Sequence, residues 1–181
     1  FPKQHRRLFL NEKRYVKMKQ IKTKDKKYPL KIVLEDGTKI TVPKQSHFSN
    51  AFLRKHGCSL MAEYVALQFC GIHKWPIDLY KWHKRHTKGD VKSKVTVRGV
   101  AKGIDALGKG KADATYYREV SASRMKEALS KGEAVIMEQK NPIHSICIIP
   151  DGDQPWLVNY GGVSKADIDK LAKTATTNKT Y

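Results

Sequence analysis

Two β-branched runs, Lys31-Ile32-Val33-Leu34-Glu35 and the alternating Lys39-Ile40-Thr41-Val42, flank an Asp36-Gly37 pair. β-Branched alternation around Asp-Gly predicts a hairpin, because glycine supplies the positive φ that a tight turn requires. Pro43 lacks the N–H needed to extend the ladder and ends it. The period then changes. From Cys58 to Cys70, Leu60, Met61, Tyr64, Val65, Leu67 and Phe69, with Ala62 and Ala66, cover most of a helix circumference. Such a segment predicts a central helix buried on nearly every side. Gly71 stands where a C-terminal cap belongs, and Pro76 suits the first turn of a second helix carrying Leu79, Tyr80 and Trp82. Shorter helices are expected over Val100–Leu107 and from a Ser121 cap through Met125, Ala128 and Leu129 to Gly132.

In the last third the pattern returns to strands. Ala134–Met137, His144–Ile149 and Trp156–Tyr160 are apolar runs, and the turn-rich segment Pro150–Pro155 joins the last two into a hairpin. Helices followed by a sheet predict an α+β fold. At 181 residues the chain supports one well-buried core. The expected organisation is a basic arm over 1–27, with one helix around Leu8–Met18, then a single domain over 28–181. Within that domain lie the hairpin (28–42), a helical part (43–110), a mixed part ending in the sheet (111–162), and a C-terminal helix and tail (163–181).

Charge adds a surface property to this outline. The formal net charge is +19, and residues 1–27 hold eleven Lys or Arg against Glu12 and Asp25. That balance favours anionic polymers such as cell-wall polyanions or nucleic acid. No recognition helix, finger or stacking-aromatic module accompanies it, so charge alone does not specify a nucleic-acid reader. Three cysteines, Cys58, Cys70 and Cys147, are too few for a disulfide scaffold. No apolar run approaches the roughly 20 residues of a membrane span. Phe1 in place of an initiator methionine fits a removed leader, so the expected location is secreted or at the cell surface, with a cytoplasmic one as the alternative.

The candidate chemistry follows from where the cysteines fall. A nucleophilic cysteine needs its thiolate favoured, and a helix N-terminus does so with unpaired amides and the positive end of the dipole. Cys58 has that position, Cys70 sits at the opposite helix end, and Cys147 alternates with Ile146 and Ile148 as a packing residue. Gly57 allows a tight turn and close approach of a substrate backbone. His144 at a strand start is a candidate base, and Asn159 on the adjacent strand is placed to orient it across the hairpin. Asp151 and Asp153 lie in the turn and suit that role less well.

These residues, in this order, resemble the papain-like bacterial cysteine peptidases related to the bacteriocin-processing peptidases that cut after double-glycine leaders. The resemblance spans roughly residues 42 to 162: a loop, Gly57-Cys58 opening a buried helix that ends near Gly71, a helix from Ser121, the strand from Lys131-Gly132-Glu133, the histidine strand and a closing strand with Asn159. It implies a papain-like fold and hydrolysis of a peptide or amide bond through a Cys58-His144-Asn159 triad and a thioester, with no cofactor or metal. Where those relatives carry the glutamine of the oxyanion hole, this chain has Asn50, with Gln45 as the alternative. A degenerate domain that binds peptide or anionic polymer is the competing expectation.

Other residues receive plainer readings. Cys70-x-x-His73 with His83-x-x-His86 contains zinc-ligand types, but His83 and His86 fall on an amphipathic helix whose solvated basic face accounts for them. Glu63 and Asp78 read as solvated or salt-bridged helix acids with no partner at catalytic spacing. Trp75, Tyr80 and Trp82 are expected to pack the helical part, and Trp156 to line the cleft beside His144.

Overall fold

A computed structural model describes residues 17–88, 94–159 and 161–176. Most of the expected arm helix around Leu8–Met18, residue 160 and the last residues of the tail lie outside them. The fold is mixed α+β with two antiparallel sheets, one of order β1-β2-β3 and one of order β4-β5-β6-β7.

The expected hairpin is β2 (Leu30–Val33) and β3 (Lys39–Val42), paired with Leu30 opposite Val42 and Val33 opposite Lys39. Gly37 takes φ +88° in its turn. A strand that the pattern did not announce, β1 (Lys19–Lys22), pairs along β2, so the region expected to be an arm contributes a sheet edge. Its four residues are all exposed, which explains why KQIK carries no alternation to read. The charged edge also discourages further strand addition. The inner face of this sheet, with Ile32, Ile40 and Val42, is fully buried.

A short helix, α1 (Ala51–His56), precedes the central helix α2 (Cys58–Phe69), in which every residue from Ser59 to Gln68 is buried. Gln68 joins α2 to the first sheet: its side chain accepts from the Thr41 amide at 2.8 Å and donates to the Thr41 carbonyl at 2.9 Å. Helix α3 (Pro76–His86) starts at Pro76 as expected. Helix α4 (Val97–Gly108) begins three residues before the expected start, because the Thr96 hydroxyl caps the Gly99 amide at 3.0 Å. Helix α5 (Ala122–Ser130) is capped by Ser121.

The second sheet comprises β4 (Val135–Gln139), β5 (His144–Ile149), β6 (Trp156–Asn159) and β7 (Gly162–Lys165), followed by α6 (Ile168–Lys173). It separates two apolar clusters. Cys147, Ile149 and Val158 pack with α2, while Met137, Ile146 and Ile148 pack with residues of α5 and α6. The period of two along each strand produces this division, since successive side chains face opposite ways. Asp151, in the β5–β6 turn, accepts from the Glu35 amide at 2.9 Å and from Trp156 Nε1 at 3.0 Å, fastening the first sheet's turn region to the second. Trp156 therefore serves this junction and the core, and is not among the cleft residues where it was expected.

Candidate functional site

The junction between α1 and α2 is a single residue. Gly57 closes α1, with its N–H bonded to the Leu53 carbonyl at 3.1 Å, and its own carbonyl accepts from Met61 in the first turn of α2. A Cβ at residue 57 would stand 2.4 Å from the Leu53 oxygen and 2.8 Å from the Leu53 Cα. Close backbone approach is thus what glycine permits here, and Cys58 is presented at the first position of α2.

On the other side, β4 and β5 are joined through residues 140–143, with Gln139 opposite His144. Asn141 takes φ +54° and the Asn141–Pro142 peptide is cis, a turn that delivers His144 at the first position of β5. Asn159, the last residue of β6, accepts a hydrogen bond from His144 Nε2 at 2.6 Å. The acceptor oxygen requires the hydrogen at Nε2, which leaves Nδ1 for Cys58. Cys58 and His144 are themselves hydrogen-bonded.

Electrostatics separate the three thiols. Burial pushes the Cys58 thiol up, but the hydrogen bond with His144, the Ser145 backbone amide and the imidazolium charge together hold it below its ordinary value. Burial correspondingly lowers His144, yet its bonds to Cys58 and Asn159 and the thiolate charge raise it above the usual imidazole value. The two shifts favour a thiolate–imidazolium pair. Cys70 is raised, by burial first and then by Asp113, and complete burial holds Cys147 far above the ordinary thiol range.

Cys58, His144 and Asn159 open on one cleft, which Gln45 and Ser145 also line. Met61, Ala62 and Val65, three, four and seven residues after Cys58, share its helix face and with Pro43 and Val158 supply the apolar lining. Asn50 is elsewhere: it is the N-cap of α1, its Oδ1 accepting from the Leu53 amide at 3.0 Å, and it does not line the cleft. Of the two residues expected to supply the oxyanion amide, Gln45 lines the cleft and Asn50 does not. One hydrogen of the Gln45 amide reaches the Arg54 carbonyl at 3.3 Å, and a side-chain amide carries two.

The reading of Glu63 and His83 requires correction. His83 is fully buried rather than solvated, and its Nε2 lies 2.7 Å from Glu63 Oε2, while Nδ1 lies 2.9 Å from the Thr87 hydroxyl. The 20-residue separation of the pair hid it from any local pattern. His73 is engaged by the Tyr64 hydroxyl at 3.1 Å and His86 by the Trp82 carbonyl at 2.9 Å. Among the described residues no group of three or more His, Cys, Asp or Glu converges as a metal site. Trp75, although 45% exposed, groups with Tyr28, Tyr64 and His73, and Tyr80 stacks on Phe52.

Among the described residues no helix is long and apolar enough to cross a membrane. Compared with protein-family models, with curated proteins and with solved structures, the chain matches none of them.

Proposed function

We propose that the chain is a papain-like cysteine peptidase that cleaves a peptide or amide bond. The observation that carries this reading is the relay at the cleft: Cys58 at a helix N-terminus, hydrogen-bonded to His144, whose far nitrogen is held by Asn159 at 2.6 Å. A nucleophile, a base and an orienting acceptor in series are what thiol acyl transfer needs.

In the first half-reaction the Cys58 thiolate attacks the scissile carbonyl carbon. The oxygen gains negative charge and is held by the Cys58 backbone amide and the Gln45 side-chain amide. Protonated His144 gives its Nδ1 hydrogen to the departing amine, the C–N bond breaks, and a thioester on Cys58 remains. In the second half, neutral His144 takes a proton from water as its oxygen attacks the thioester, and the carboxylic acid leaves with the thiolate restored. Asn159 keeps one imidazole nitrogen protonated throughout, so the other can alternate between acid and base.

The test is cleavage of a library of short peptides, with acid quenching and mass analysis of Cys58. The reading expects products, an acyl adduct on Cys58, and loss of both in Cys58→Ala and His144→Ala. Cleavage that survives Cys58→Ala, or a complete lack of cleavage and adduct, contradicts it. In the latter case binding of peptides or a wall polyanion to the folded protein supports the alternative, a non-catalytic domain of high positive charge.

A further inference from the structure

Among the described residues three buried polar side-chain atoms have no hydrogen-bond partner: Ser59 Oγ, Glu63 Oε1 and Ser145 Oγ. A buried hydroxyl left unpaired costs about 1–3 kcal/mol, so each such atom asks for a reason. Of the three residues, Ser145 alone lines the cleft, beside Cys58, His144 and Asn159. It is 3% exposed. Along β5 the alternation places Ser145 with Cys147 and Ile149, the face that packs on α2, while Ile146 and Ile148 serve the opposite cluster. Its side chain is thereby turned toward the helix whose first residue is the nucleophile.

We infer that Ser145 is a positioning residue for the nucleophile, its backbone amide and its hydroxyl together holding the Cys58 sulfur in the attacking orientation beside His144. This rests on the peptidase reading above. The Ser145 backbone amide favours the Cys58 thiolate, and the unpaired hydroxyl, lining the same cleft as the sulfur, is placed to add a smaller stabilisation. A hydroxyl rotates freely and has nothing else to donate to, so it follows the sulfur as charge leaves for the substrate carbonyl and returns when the thioester breaks. Alanine at this position would keep the amide and lose the mobile donor. No bond is made or broken at Ser145, which places it outside the reacting atoms.

The experiment is a titration of thiolate absorbance near 240 nm on the whole chain, read as the difference from Cys58→Ala, in the native protein and in Ser145→Ala, Ser145→Gly and Ser145→Thr. Loss of one hydrogen bond to the thiolate corresponds to an upward shift of about 1–2 pH units in the midpoint. Ser145→Ala and Ser145→Gly are expected to show it, and Ser145→Thr, which retains the hydroxyl, to restore the native midpoint. A merely structural serine would lower the melting temperature and leave the midpoint in place, and that result overturns the role assigned to Ser145. If the native protein shows no Cys58-dependent transition below the ordinary thiol range, the peptidase reading fails and this inference fails with it. A native transition that Ser145→Ala does not move sinks the inference alone.

Discussion

Removing His83 tests the packing of the helical part more sharply than any other single change. Glu63 and His83 are both fully buried and 2.7 Å apart, Glu63 Oε1 has no partner, and Gly103 closes the site so tightly that a Cβ there would lie 2.3 Å from that oxygen. His83→Ala takes away the hydrogen bond Glu63 makes and leaves a carboxyl buried without compensation. Breaking such a pair costs about 3–5 kcal/mol. With a urea slope of about 2 kcal/mol/M, the midpoint of unfolding should fall by roughly 1.5–2.5 M. Glu63→Gln keeps a neutral hydrogen bond to the ring and should lose only about 1–2 kcal/mol.

A pH dependence accompanies this. Burial raises the folded-state pKa of Glu63 above its ordinary 4.5, with His83 opposing only in part. A carboxyl raised on folding contributes stability that is fully present below the unfolded value and is lost as pH rises through the folded value. The stability of the native chain relative to Glu63→Gln should therefore decline as pH increases above about 4.5, the unfolded value of the group. Urea unfolding followed by tryptophan fluorescence, from pH 4 to 8, measures both effects. A His83→Ala midpoint within about 0.5 M of native at unchanged slope, or a native-to-Gln difference that does not vary with pH, would refute the reasoning.

Three other substitutions separate chemistry from scaffold. Gln45→Ala should lower kcat/KM on a cleaved peptide by about 10²–10³, the usual effect of losing one oxyanion donor, with little change in melting temperature. Asn50→Ala should do the reverse, costing about 0.5–2 kcal/mol through the lost cap of α1 while each folded molecule keeps its turnover; calorimetry beside kinetics checks both. Gly57→Ala places a methyl against backbone that cannot yield, 2.4 Å from the Leu53 oxygen, so it should destabilise by about 1–3 kcal/mol and slow Cys58 alkylation together.

Most of the scaffold was legible because its signals are local. The all-round apolar face of α2, the Asp36-Gly37 turn, Pro76 at a helix start and Ser121 at a cap each act within a few residues, and the structure places them where the pattern does. Helix α1 escaped because six residues offer less than two turns of periodicity, although Asn50 three residues before Leu53 was a cap signal that pointed to it. Asn50 became an oxyanion candidate through the family resemblance, which sets it where those relatives carry glutamine, while its local role is the cap of α1. His83 escaped for a different reason: the basic residues around it, Lys81, Lys84 and Arg85, describe a solvated face, and only the tertiary approach of α2 shows that one position on that helix is buried. Cys58, His144 and Asn159 were selected by context, and the structure brings all three to one cleft. Ser145 carries no sequence signal, since a serine beside a histidine is common and its meaning depends on which side of β5 meets α2.

The charge state of Cys58 decides between a nucleophile and an inert thiol at this cleft. Its thiol is held below the ordinary value of 9.0, at which an unperturbed cysteine is thiolate to about one part in a thousand at pH 6. Alkylation by iodoacetamide, resolved by peptide mapping from pH 4 to 9, reports all three thiols in one sample. The account predicts that Cys58 reacts far faster than Cys70 and Cys147 at pH 6, with a midpoint below the ordinary thiol range that His144→Ala moves upward. Equal, slow labelling of the three, with a Cys58 midpoint near 9 that His144→Ala leaves unchanged, would contradict it.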